Sequence, residues 1–165
     1  MSERYYTDMN SFKLASPSST ITKRIARKLA QFLQAPLTLA LDGDLGAGKT
    51  TFVTGLVSGF KNGEKIRVQS PTFALARSYP TQPPLHHIDL YRISDAVMLD
   101  DLGIESLLFD PSAIVCVEWP SLYPGALPPK TLWISIQSKA KNKREIEFNF
   151  DASLFDWTSI LKKLI

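Results

Sequence analysis

Apolar positions along this chain follow two rhythms, and elements end where the rhythm changes. Leu37, Leu39, Ala40 and Leu41 form a short apolar run of the kind that makes a buried strand, and Phe52, Val53, Leu56 and Val57 follow at helical spacing. The pattern predicts a strand that enters a glycine-rich turn and leaves it as a helix, starting near Gly48 and stopping between Gly59 and Gly63. Upstream, Ile21, Ile25, Leu29, Phe32 and Leu33 mark one face of a helix whose outer face is basic. Ser16-Pro17-Ser18-Ser19 supplies its start and Pro36 its limit. An edge strand is expected around Tyr5 to Leu14.

Downstream, Val68 to Ala76 reads as a loop entering a strand, with Pro71 forcing Ser70 out of helical geometry. Leu85 to Arg92 reads as a short strand with Asp89 near its end, and Ser94 to Asp101 as a helix closed by Gly103, with one more turn over Ile104 to Phe109. The stretch from Ala113 is apolar and β-branched up to Glu118, the signature of a central parallel strand. Prolines at 120, 124, 128 and 129 demand a loop. Leu132 to Gln137 and Glu145 to Phe150 predict an antiparallel hairpin joined by the basic turn Lys139 to Arg144, and Leu154 to Leu164 predicts an amphipathic helix.

Composition narrows this picture. A chain of 165 residues with no internal repeat is expected to form one domain. No apolar run approaches a membrane span, and Arg24, Arg27 and Lys28 interrupt the only apolar periodicity near the start, so neither a membrane segment nor a signal core is expected. The single cysteine, Cys116, sits inside Ile114 to Val117 and reads as an inert core thiol in a reducing cytoplasm. The net charge is only +3, but no Lys or Arg occurs between Arg92 and Lys130, while basic residues gather at Lys23 to Lys28 and Lys139 to Arg144. Such patches can steer a protein partner or RNA, or can be solvated helix faces and a charged turn.

The strongest chemical signal is Gly43-Asp44-Leu45-Gly46-Ala47-Gly48-Lys49-Thr50, two glycines five apart followed by Lys and a hydroxyl residue between a strand and a helix. Polyphosphate oxygens need many donors at short range, and a loop of small residues lets backbone N–H groups converge on them at a helix N-terminus. Asp44 to Gly48 would form the cradle and Lys49 would lie along the β- and γ-phosphates. The Thr50 hydroxyl would take a position on Mg²⁺, and Thr51 would contact the α-phosphate. The expected fold is therefore α/β: a three-layer sandwich like that of P-loop nucleoside triphosphatases, with a mostly parallel central sheet and an antiparallel C-terminal hairpin.

Two carboxylates compete for the metal side. Glu118 ends the predicted central strand and is the stronger choice, and Asp89 ends its neighbour; either would bind Mg²⁺ through water or orient the attacking water. Thr72, in Ser70-Pro71-Thr72-Phe73, either reports a γ-phosphate as part of a switch or merely shapes a turn. Arg92 either senses phosphate charge or pairs with Asp89, and Trp119 reads as a core aromatic at a strand end. His86 and His87 point to opposite faces of a strand, which argues against a shared metal site, and both are read as structural.

Together, GDLGAGKTT (Gly43 to Thr51), SPTF (Ser70 to Phe73), HIDLYR (His87 to Arg92), LGI (Leu102 to Ile104) and VEWP (Val117 to Pro120) closely resemble the TsaE family. These are small bacterial ATPases needed for the threonylcarbamoyladenosine modification of tRNA. The resemblance implies ATP and Mg²⁺ as cofactors and hydrolysis that supports a partner pair, TsaB and TsaD, with tRNA reached indirectly through that complex. It implies phosphate and metal roles for Lys49 and Thr50, a switch-like loop around Thr72, Glu118 beside the metal and Asp89 at the other strand end. It also implies a place for Trp119 beside the nucleotide, and an adenine contact near Ser19 to Thr22. Two other classes share the loop: a small-molecule kinase, whose arginine-bearing lid would fall where residues 93 to 129 have no arginine, and a nucleotide-binding module without catalysis.

Overall fold

The computed structural model describes residues 9–94, 97–153 and 156–164. Seven strands, β1 (Asn10–Ser16), β2 (Leu37–Asp42), β3 (Ala76–Tyr79), β4 (Leu85–Asp89), β5 (Ile114–Glu118), β6 (Thr131–Ala140) and β7 (Lys143–Phe150), form one sheet in the order β1-β7-β6-β2-β5-β4-β3. Its centre, β6-β2-β5-β4, is parallel, and antiparallel strands flank it on both sides. The helices are α1 (Ser19–Ala30), α2 (Lys49–Gly59), α3 (Val97–Asp101), α4 (Ile104–Leu108) and α5 (Trp157–Leu161).

Alternation along the strands divides the core in two. Leu39, Leu41, Ile114, Cys116, Ile134 and Phe148 pack with α1 and α2, whereas Ile88, Leu90, Val115 and Val117 pack with Leu99, Ile104 and Leu108 on the other side. Because Glu118 is two residues beyond Cys116, and Asp89 four beyond Leu85, the pleat carries both acids to the α2 face. Helix α1 is capped by the Ser18 hydroxyl, which accepts from Ile21 N–H at 3.2 Å. It crosses α2 at very short range: a Cβ on Gly59 would lie 2.7 Å from the Ala30 Cβ, and one on Gly55 2.7 Å from the Ala26 Cβ.

Several expected boundaries move. The first strand begins at Asn10; the expected start at Tyr5 lies outside the described residues, as do 95–96 of the predicted third helix and 154–155 of the last. The expected basic turn over Lys139 to Arg144 is instead mostly strand. β6 runs to Ala140 and β7 starts at Lys143, leaving Lys141 and Asn142 as the turn. Apolar alternation stops at Ile136, but the backbone ladder continues through the polar pairs Gln137/Glu145 and Ser138/Arg144, which hydrophobicity does not report. The basic patches are partly paired, Arg27 with Glu64 at 2.7 Å and Lys139 with Glu145 at 3.1 Å.

Candidate functional site

β2 delivers the chain to a tight loop over residues 43–48, and α2 starts at Lys49. Two glycines are required there by geometry. Gly43 lies at φ +143°, so close to the Ile136 carbonyl that a side chain would overlap it, and Gly48 caps α2 at φ +116°, a conformation that side chains avoid. Ala47 N–H closes the loop onto Asp44 O at 3.0 Å. Phe52 N–H bonds to Gly48 O at 2.9 Å, so the N–H groups of Lys49, Thr50 and Thr51 precede the first intrahelical bond of α2. Leu45 stands exposed at the loop tip.

Lys49 is 5% exposed, and its Nζ donates to Gly43 O at 2.5 Å and to Asp44 O at 3.0 Å. The Trp119 ring centroid lies 4.0 Å from the same nitrogen. Burial pushes the ammonium pKa below the usual lysine value, and Glu118, then Asp89, oppose that shift by their charge. Trp119 itself has φ +59°, a left-handed conformation that costs a bulky residue of the order of 1 kcal/mol. Its N–H bonds to Leu41 O, and its ring meets Tyr91 at 5.0 Å. The aromatic is thus half-buried beside the loop lysine, and it also packs against the core cluster of Ile88, Leu90, Val115 and Val117.

The two acids are register partners on adjacent strands. Thr50 Oγ1 donates to Glu118 Oε1 at 2.9 Å, and His87 Nε2 meets the same oxygen at 2.8 Å. A carboxylate only accepts, so the proton is on Nε2, leaving Nδ1 of this fully buried ring without a partner among the described residues. Asp89 Oδ2 accepts from Thr72 Oγ1 at 2.6 Å and Oδ1 from Tyr91 N–H at 3.0 Å, tying the SPTF turn to the end of β4. Ser70 and Thr72 share a further bond at 2.7 Å.

These contacts assemble one site from four segments: the loop with Lys49 and Thr50, the turn with Thr72, the end of β4 with Asp89, and the end of β5 with Glu118 and Trp119. The other residues singled out in the sequence take the following places. Arg92 makes no ion pair with Asp89 among the described residues and stacks over the Phe73 ring at 5.0 Å. The Thr22 hydroxyl is buried against Ser16 Oγ at 2.7 Å. His87, read as structural, reaches into the site through Glu118; its place two residues before Asp89 on one strand face was the available signal. Arg144 was also missed: its Nε donates to Ala47 O at 2.7 Å across 97 positions of sequence.

The donor set suits a hard divalent cation bound with phosphates. No group of three or more His, Cys, Asp or Glu side chains placed to hold a metal ion by themselves is present among the described residues. Magnesium keeps most of its shell as water and phosphate oxygen, so one hydroxyl and one or two carboxylates suffice for it.

The sequence model for threonylcarbamoyl adenosine biosynthesis protein TsaE matches residues 16–146. The tRNA threonylcarbamoyladenosine biosynthesis protein TsaE of Bacillus subtilis is 38% identical over 141 residues, covering 85% of this chain and 86% of that protein. Its counterpart in Rickettsia felis is 35% identical over 124 residues, covering 74% and 71%. The crystal structure of Bacillus subtilis YdiB superposes with a TM-score of 0.73 at 30% identity over 94% of this chain and 95% of that one. The chain belongs to the TsaE family of tRNA threonylcarbamoyladenosine biosynthesis proteins.

Proposed function

We propose that the chain binds ATP with Mg²⁺ at the β2–α2 loop, in the manner of a P-loop nucleoside triphosphatase, and hydrolyses it slowly in support of the TsaB–TsaD pair that modifies tRNA. The observation that carries this reading is the 2.9 Å bond from Thr50, at the first turn of α2, to Glu118 at the end of the neighbouring strand. It joins a phosphate-loop hydroxyl to an acidic strand end, and Lys49 lies beside both.

Lys49 is held by two loop carbonyls and an aromatic face, so little side-chain entropy remains to be lost when its ammonium pairs with phosphate oxygens. Backbone N–H groups of the loop and of the first turn of α2 supply donors to the same anion. Thr50 and Glu118 would hold the cation, directly or through water, while His87 keeps the carboxylate turned toward Thr50. When bound, Mg²⁺ would supply positive charge to offset the negative charge of the phosphate oxygens. Thr72 can exchange Asp89 for the γ-phosphate or the metal shell, which would make the SPTF turn responsive to the nucleotide state. Asp89, once released, is the group available to orient water. Trp119 and the Asp44 to Thr51 segment complete the nucleotide contacts.

No arginine reaches the phosphate side from residues 93 to 129, so slow turnover in isolation is expected. A tRNA biosynthesis role supports a cytoplasmic site of action in the assembled complex, and no described helix is long and apolar enough to cross a membrane. The test is ATP hydrolysis by the chain alone, with TsaB and TsaD added, and with Lys49→Ala. Acceleration by the partners and loss of activity in the variant are expected; a partner-independent rate, or a fully active variant, would overturn the mechanism.

A further inference from the structure

The β6–β7 hairpin continues past the apolar part of the sheet and ends against the loop before α2. Two contacts fix it there: the tight approach of Gly43 to the Ile136 carbonyl, and the Arg144 Nε–H bond to Ala47 O at 2.7 Å. The Nη1 group of the same guanidinium bonds Ala140 O at 3.1 Å, Lys143 O at 3.1 Å and Lys141 O at 3.5 Å, all in the hairpin's own bend. One planar cation therefore clamps the hairpin with one edge and the loop with another, and the donor is charged at every relevant pH.

The consequence lies in the peptide unit between Ala47 and Gly48. That unit is planar and trans, so its oxygen and its N–H point to opposite sides. Anchoring the oxygen on Arg144 turns the Gly48 N–H away from the hairpin. Gly48 sits at φ +116°, and a glycine flanked by a small residue can rotate such a unit at little cost unless something outside the loop holds it. We infer that Arg144 is a positioning residue for the polyphosphate site: it sets the Ala47–Gly48 peptide plane so that the amide faces the ligand, and it places a permanent positive charge behind the loop. This inference rests on the reading of the loop as a triphosphate site.

Calorimetric titration of the full chain with a magnesium-bound, non-hydrolysable ATP analogue tests it, using wild type, Arg144→Met and Arg144→Lys. Arg144→Met is expected to weaken binding about ten-fold or more, the effect of losing one charge-assisted contact, and to speed amide hydrogen exchange across residues 44–51. Arg144→Lys, which retains a charged donor, should recover part of the affinity. In wild type, the Arg144 Nε–H resonance should exchange slowly and shift on nucleotide addition, a readout that holds even if the methionine variant fails to fold. Equal affinity in wild type and Arg144→Met, or a fast-exchanging Nε–H that does not shift, would overturn the assignment. No binding by wild type would instead reject the triphosphate reading itself.

Discussion

Gly55→Ala tests the packing that carries the site. A Cβ at this position would lie 2.7 Å from the Ala26 Cβ and 2.8 Å from the Lys23 Cα, and closer still to the Lys23 carbonyl oxygen. Two of these three neighbours are backbone atoms, so no rotamer change relieves the overlap. Reaching normal carbon contact requires α1 and α2 to separate by roughly 1 Å. Overpacking of this kind costs about 1–3 kcal/mol, against about 1 kcal/mol gained from placing Ala rather than Gly inside a helix. The net expectation is a loss of roughly 0–2 kcal/mol, seen as a melting temperature lower by up to about 8 °C for a domain of this size. Because α2 carries Thr50, which meets Glu118 at 2.9 Å, affinity for magnesium-bound nucleotide should fall as well. Gly125→Ala is the control, since nothing lies within 4 Å of its added methyl. A rise in melting temperature for Gly55→Ala would show that the α1–α2 contact is looser than described and that only helix propensity is being read.

Three further outcomes are expected. His87→Ala removes the Nε2–H donor to Glu118 and leaves a cavity under β4, so urea unfolding should show a loss of about 2–4 kcal/mol; a change below about 0.5 kcal/mol would mean that the ring supports nothing. Asp110 is held down to about 2 by the hydrogen bond from His86, then by those from Ser112, well below its ordinary 3.8. A depressed carboxyl binds its proton more weakly in the folded state, so its stabilisation is present above about 4 and disappears as pH falls through about 2. The melting-temperature gap between wild type and Asp110→Ala should therefore close over that window, and a gap independent of pH would refute the assignment. Chelation of divalent cations should abolish ATP hydrolysis, and Thr50→Val should raise the magnesium concentration needed for half-maximal rate, whereas an unchanged magnesium dependence in the variant would remove Thr50 from the metal site.

Local signals in the chain were enough for β2, α2, β4 and β5, because a buried strand and an amphipathic helix each leave a periodic trace and glycine and proline mark the ends. The pairing of Thr50 with Glu118, and of Thr72 with Asp89, was beyond reach of any such trace, since it depends on β2, β4 and β5 lying side by side. The hairpin boundary was misplaced for a related reason: polar residues can extend a ladder whose stability comes from backbone bonds and cross-strand pairs.

What the sequence by itself determined was the α/β alternation and the family, and it supplied the residue types on which the proposed polyphosphate and cation site rests. Only the tertiary structure decided which of them touch. It turned His87 toward Glu118, laid Trp119 over the Lys49 ammonium and brought Arg144 to Ala47 from 97 positions away. Periodicity records which face of an element is buried, but which elements become neighbours is set by sheet order and packing summed over the whole chain, and no short stretch encodes that sum.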